Sequence, residues 1–296
     1  MKKLAIILTA ILIGYSCSEA QYKKKTAWDY DELKGKVKSV QIKSYYAIDT
    51  LGKISRGKMI DDGYGNLLIN YDINGNWTEY RSFDPENKIK WFENPIYNEN
   101  GEVMERFDYS IIETDCILKR KFLFTNDIYG NIIETICTNS TDSLLWKKSM
   151  KYDEEGKETE ELNYATLDSV KWRLNYSYDI KTHLIKTTKY NAVGDLIETT
   201  IYVYGSNDNN IEEGNFNADG SLKTKTTLQY NEKGHKLETC RYNFEGNIEN
   251  KTTYSYKYDL GDNWIMRIEY KEGLPTRITE RKIEYYESPA PNILYK

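Results

Sequence analysis

The chain has 296 residues, of which 39% are hydrophobic and 29% charged, and only 5 are Pro. That balance excludes a disordered or collagen-like chain and leaves room for a packed core. A formal net charge of -5 excludes a broad basic face, and two His with four Cys leave little for metal or His-based chemistry, so no nucleic acid, metal or cofactor is expected.

The N-terminus reads as an address. Lys2 and Lys3 precede an apolar run over residues 4–13, too short to span a bilayer but right for a secretory signal. Two cleavage points compete within residues 1–20. Ser18-Glu19-Ala20 is a small-x-small site before Gln21, and Cys17 stands where a bacterial lipoprotein carries its lipid. Either cut exports the protein, to the periplasm, the outer membrane as a lipoprotein, or the cell surface. A lipid on Cys17 is the only membrane attachment expected. Residues 21–34 read as a polar tether, 35–286 as the folded domain and 287–296 as a tail. Cys116, Cys137 and Cys240 fit no zinc or CxxC spacing and allow at most one internal pair.

From residue 71 a phrase recurs: an aromatic, then Asp or Asn, two variable residues, then Gly, as in Tyr71-Asp72-Ile73-Asn74-Gly75 and Tyr152-Asp153-Glu154-Glu155-Gly156. The aromatic ends a strand and the Asx and Gly make the turn. Copies start at 152, 164, 178, 190, 204, 216, 230 and 242, so steps of 12 and 14 alternate and the period is 26, a two-strand repeat. Successive turns therefore fall on opposite edges, with Tyr152, Tyr178, Tyr204 and Tyr230 on one of them. A three-residue surplus between 97 and 126 predicts a loop or bulge there. Between turns the pattern has period two, and no helical stripe appears. The expected fold is all-β, an antiparallel meander of about eighteen two-strand-repeat strands forming a long curved or curled sheet. Arg277, Arg281, Lys282 and Glu284 read as charges guarding its last, exposed edge.

Tyr176-Ser177-Tyr178-Asp179, Lys151-Tyr152-Asp153-Glu154-Glu155-Gly156 and Tyr256-Lys257-Tyr258-Asp259 resemble the Tyr-Asp phrase of Rhs/YD-repeat proteins, over most of residues 71–260. Arg281-Lys282-Ile283-Glu284-Tyr285-Tyr286 is similar to the ending of short secreted YD-like proteins of Gram-negative bacteria. The resemblance implies a β fold built from repeats. It carries no catalytic residue.

Candidate chemistry is sparse. His183 and His235 occupy equivalent turn exits and read as solvated loop residues. Asp61-Asp62-Gly63 and the Asn207 to Asn210 run lack EF-hand spacing and read as turns. Adjacent carboxylates such as Glu160 and Glu161 face opposite ways on a strand, so a glycosidase pair is not expected. Thr50, Ser143 and Ser169 follow Asp and precede an aliphatic residue, like bacterial O-glycosylation acceptors, and all lie at predicted turns. Trp91, Trp146 and Trp172 each lie eight residues after a turn position, Phe83, Thr138 and Tyr164, and share a face with the strand-end tyrosines. Flat indoles spaced by two strands suit stacking on sugar rings or a partner's aliphatic groups. The expected function is a non-catalytic envelope or surface protein that recognises glycan or protein partners. A structural scaffold is the alternative, followed by a glycan hydrolase.

Overall fold

The computed structural model describes residues 25–287. The leader, both cleavage points, Cys17 and the tail from 288 lie outside the described residues. A short helix α1 (Ala27–Tyr30) precedes β1 (Val37–Thr50), β2 (Lys53–Met59), β3 (Asn66–Tyr71), β4 (Trp77–Phe83), β5 (Ile89–Tyr97), β6 (Val103–Ile112), β7 (Asp115–Asn126), β8 (Ile132–Asn139) and β9 (Leu144–Tyr152). The chain continues through β10 (Glu158–Tyr164), β11 (Val170–Tyr178), β12 (Leu184–Asn191), β13 (Leu196–Tyr204), β14 (Asn210–Asn217), β15 (Leu222–Tyr230), β16 (Lys236–Asn243), β17 (Ile248–Tyr258), β18 (Trp264–Lys271) and β19 (Leu274–Tyr285).

The turn phrase has a hydrogen-bond explanation. At the first copy, Gly75 N–H donates to the Asp72 carbonyl at 3.1 Å, and Asp72 N–H donates to Asn76 O at 2.8 Å. The Asp72 carboxylate accepts the N–H groups of Asn74 and Asn76 at 2.8 and 2.9 Å, so an Asx at this position satisfies the turn's own donors. The fourth position needs a left-handed backbone, which is why Gly75 (φ 88°) and Gly156 (φ 77°) stand there. Thr182 holds the same position at φ 72°, a conformation a β-branched residue tolerates badly. Thr182→Gly is expected to gain about 0.5–1 kcal/mol, raising the thermal midpoint by roughly 2–3 °C in a calorimetric scan.

Turns do alternate between two rims, and Tyr152, Tyr178, Tyr204 and Tyr230 all end strands at the same one. This near rim also holds the start of β1 and the end of β19, and the opposite one is the far rim. The surplus between 97 and 126 is absorbed by the long hairpin β6–β7, whose ladder shifts at Asp108/Tyr109.

The curved or curled sheet with a free last edge is corrected by the strand pairing. β1 pairs with β19 from Val37↔Tyr285 to Tyr46↔Arg277, and on its other side with β3 from Ser39↔Asn70 to Lys43↔Asn66. The sheet thus closes into an antiparallel barrel. Of the 19 strands, β2 pairs only with the outer half of β1, leaving 18 in the ring. An even count lets first and last strands meet antiparallel. Beside each repeat turn the ladder skips a residue, as at Ser177/Tyr178 and Asn163/Tyr164, and such bulges add the bend that closure requires. β19 is therefore not an edge. Arg277 instead contacts Asp62 at 3.0 Å, and the Arg281 guanidinium lies 3.6 Å over the Trp264 ring.

A ring of this size is roughly 35 Å across at a strand tilt of about 40°, too wide for wall side chains to fill. Residues 25–36 enter it. Val37, Val40, Ile69 and Tyr71 form the buried cluster with Leu33, and Trp28, Ile42, Trp77, Tyr80, Ile283 and Tyr285 pack against it. The segment expected as a polar tether folds inward because Trp28 and Leu33 have apolar surface to bury. Its ties are specific: Trp28 Nε1 donates to Val37 O at 2.9 Å, Tyr71 Oη donates to Asp31 at 2.6 Å, and the Asn263 side chain accepts Lys34 N–H at 2.7 Å.

Residues alternating with the inward set form the outer wall. Across it, Lys147 meets Glu134 at 2.8 Å, Lys151 meets Glu160 at 2.7 Å, Lys225 meets Glu212 at 3.5 Å and Lys251 meets Glu238 at 2.9 Å. Between these pairs stand exposed aliphatic side chains, among them Ile197, Ile201 and Val203.

Candidate lumenal binding site

Two aromatic tiers line the inside. At the near rim five tyrosines at or near strand ends reach sideways to the first strand residue of the preceding unit. Tyr97 Oη donates to Trp77 O at 2.8 Å, Tyr152 to Ile132 O at 2.9 Å, Tyr178 to Glu158 O at 2.8 Å, Tyr204 to Leu184 O at 3.1 Å and Tyr256 to Lys236 O at 2.8 Å. These bonds fix the rings against the wall, and burial pushes the Tyr97 phenol up to about 12, so it stays a donor. Beside the rings opens a cavity of about 920 Å³, lined by Arg106, Glu158 and His183 and, from the N-terminal segment, Thr26 and Tyr30.

The second tier holds the three tryptophans. Trp91, Trp146 and Trp172 stand within the first three residues of β5, β9 and β11, near the far rim, half-buried on the lumenal face. They do share a face with the strand-end tyrosines, at the opposite end of the lumen. Trp91 stacks on Tyr80 with ring centres 5.4 Å apart. Trp146 meets Phe122 edge-on at 5.8 Å and lines a recess of about 400 Å³ with Arg106, Thr135, Lys148 and Glu158. Lys189 Nζ lies 5.0 Å above the Trp172 ring.

Charges between the tiers hold one another. Arg106 lies 3.8 Å over Phe122 and 3.1 Å from Asp108, which also takes Arg120 at 2.8 Å. Burial pushes the Asp108 carboxyl up, against the pull of both arginines. Glu158 is also raised, first by burial and then by the neighbouring Glu161 carboxylate, which is bound by Lys148 at 3.2 Å. The wall thus offers aromatic faces with acidic, amide and cationic groups around them, the mixture a polyhydroxylated ligand needs. Lumenal charges were not legible as a set, because their strands lie far apart in sequence, Arg106 and Glu161 by 55 residues.

Neither histidine is a solvated loop residue. His183 stacks on Tyr204 with centres 4.4 Å apart, and its Nδ1 lies 3.0 Å from Asp179. His235 is 5% exposed, with Nδ1 3.0 Å from Tyr258 Oη, because the next unit's turn brings that phenol over it. Burial lowers the His235 pKa, with Glu32 opposing. A neutral native imidazole that protonates on unfolding costs stability as pH falls below about 6.5, the unfolded value. The thermal midpoint is expected to drop between pH 7 and 5 by more in the parent than in His235→Gln, measured by scanning fluorimetry.

The other singled-out positions are spread over the surface. Thr50, Ser143 and Ser169 are exposed, and all three lie at far-rim turns. The Asp61 and Asp62 carboxylates are occupied by Lys90 at 2.7 Å and Arg277 at 3.0 Å. Cys137 and Cys240 are buried and Cys116 exposed, all as free thiols.

Fold and lumen together define a closed antiparallel β-barrel with an aromatic interior partly filled by its own N-terminal segment. No protein-family model matches the chain, and no curated protein does. Among solved structures, a porin-like protein from Bacteroides uniformis is similar at 8% identity and a TM-score of 0.45, covering 84% of this chain and 98% of that one. A second porin-like protein, from Bacteroides vulgatus, has 10% identity and a TM-score of 0.27 over 84% of this chain and 98% of its own. The TcdB2-TccC3 structure has 13% identity and a TM-score of 0.31 over 85% of this chain, which spans only 18% of that one.

Proposed function

We propose that this is a non-catalytic glycan-binding barrel of the bacterial cell envelope, exported by its N-terminal leader and tethered through Cys17. The observation that carries the reading is the placement of Trp91, Trp146 and Trp172 on the lumenal wall beside the far rim. Half-buried indoles with Lys148, Lys189 and Thr135 at their sides offer sugar rings both a stacking face and hydrogen bonds. A lumen admits an extended glycan more readily than a folded protein, so of the two partner classes the glycan is preferred. The Rhs/YD resemblance enters this reading as kinship of the two-strand unit. Modification of Thr50, Ser143 and Ser169 would place sugars around the same far-rim mouth.

The test is binding of purified protein to envelope polysaccharide fragments by calorimetry, well below the thermal midpoint. Trp146→Ala and Trp172→Ala are each expected to weaken affinity by about 5- to 150-fold, because a stacked aromatic is worth about 1–3 kcal/mol in the related case of base stacking. Unchanged affinity in both variants would remove the lumenal site and leave a scaffold role.

A further inference from the structure

Eight repeat turns make the near rim, each with the same backbone hydrogen bonds from Asp72, Asn98, Asp127, Asp153, Asp179, Gly205, Asn231 and Asp259. The second residue of each turn is its first corner position. In four of them that residue is Ile73, Ile128, Ile180 or Leu260, exposed from 49% at Ile73 to completely at Ile180, and Tyr129 beside Ile128 is 79% exposed. Four aliphatic side chains are thus held around one rim on rigid turns, half to fully exposed. Acidic Glu99, Glu154 and Glu232 occupy the same position between them.

We propose that the near rim rests on a lipid bilayer surface, with Ile73, Ile128, Ile180 and Leu260 dipping into the headgroup boundary. Exposure alone does not select this rim, since Leu51, Val193, Phe244 and Leu274 are also exposed at the far one. The path of the chain does. Lys25 lies among near-rim groups, lining one cavity with Asn74, Asn98, Gly101 and Tyr129. It is the eighth residue after Cys17, a reach of at most about 28 Å when fully extended. A lipid on Cys17 therefore holds this rim, not the other, against the membrane. The lipid supplies the hold, and the aliphatic tips add a contact that fixes which face of the barrel meets the bilayer. Rim acids between the tips make an uncharged, zwitterionic surface the fitting partner. This orientation turns the tryptophan tier away from the membrane, toward arriving ligand.

The inference rests on the Cys17 tether of the proposed function, and the experiment separates the two. Full-length protein carrying Cys17→Ala, exported without lipid, is titrated with phosphatidylcholine vesicles and the bound fraction read by sedimentation. Weak, saturable binding is expected. Adding Ile128→Ser, Ile180→Ser and Leu260→Ser should lower the partition coefficient at least tenfold without moving the thermal midpoint, because these side chains are largely exposed. Adding Leu51→Ser, Val193→Ser and Phe244→Ser at the far rim should leave it unchanged. Absence of vesicle binding, or an equal fall from both sets, overturns the docking rim. Failure of the tether shows elsewhere, as a native protein whose mature N-terminus is Gln21, and leaves the vesicle result standing.

Discussion

Gly65→Ala is expected to be the most damaging small substitution in the barrel. A Cβ at Gly65 would lie 2.0 Å from the Ile60 carbonyl oxygen and 2.9 Å from its carbon. Both are backbone atoms, held where β1 is crossed: Ser44 N–H donates to Gly65 O at 2.6 Å and Ile60 N–H donates to Ser44 O at 2.9 Å. Relief requires moving the 60–65 connection off β1, beside the pairing that closes the ring. A loss of about 3–5 kcal/mol is expected, with the thermal midpoint falling by roughly 10 °C or more. Gly194→Ala is the control. Its φ is 96° and a Cβ there meets nothing within 4 Å, so only the backbone conformation resists, at about 1–2 kcal/mol. Equal effects from the two would show that steric closure at Gly65 is not what matters.

Asn263→Ala is expected to loosen the lumenal segment while sparing the ring. Asn263 is 1% exposed and makes three bonds: it accepts Lys34 N–H at 2.7 Å and donates to Lys34 O at 2.8 Å and to Tyr285 Oη at 2.7 Å. Alanine leaves both backbone groups of Lys34 and the Tyr285 phenol without this partner, at about 3–4 kcal/mol in all. Tyr285 keeps its 2.5 Å bond to Asp259, so the wall itself persists. Hydrogen exchange should accelerate by at least a hundredfold over residues 26–36 and little in β6 to β13. Uniform acceleration across all strands would mean that the segment and barrel unfold as one unit.

The repeat was legible because its information is local. An Asx with Gly three residues on both makes and satisfies a turn, so rims, register and the shared face of the tryptophans follow from spacing alone. Closure was not legible. It pairs Val37 with Tyr285 and Tyr46 with Arg277, residues with no sequence relation, and it results from twist accumulated bulge by bulge. The edge reading of Arg281 failed for the same reason, since a charge on a last strand looks alike whether it guards an edge or covers Trp264. In residues 21–34 the lysines outweighed Trp28 and Leu33, although those two apolar residues were the available signal for a buried segment. His235 was misread because its cover, Tyr258, comes from the following unit.

Tyr152, Tyr178 and Tyr204 each bond to the carbonyl twenty residues before them, so the fastening of these units lies almost wholly within one period. The ring can then change size by whole units. Loss or duplication of 26 residues between β6 and β13 would remove or add two strands and alter the diameter by about 4 Å. The buried cluster around Leu33 draws on β1, β3, β4 and β19, on the other side of the ring, and would not notice. Lumen bore and plug are therefore separable heritable traits, and bore can change by gain or loss of whole two-strand units.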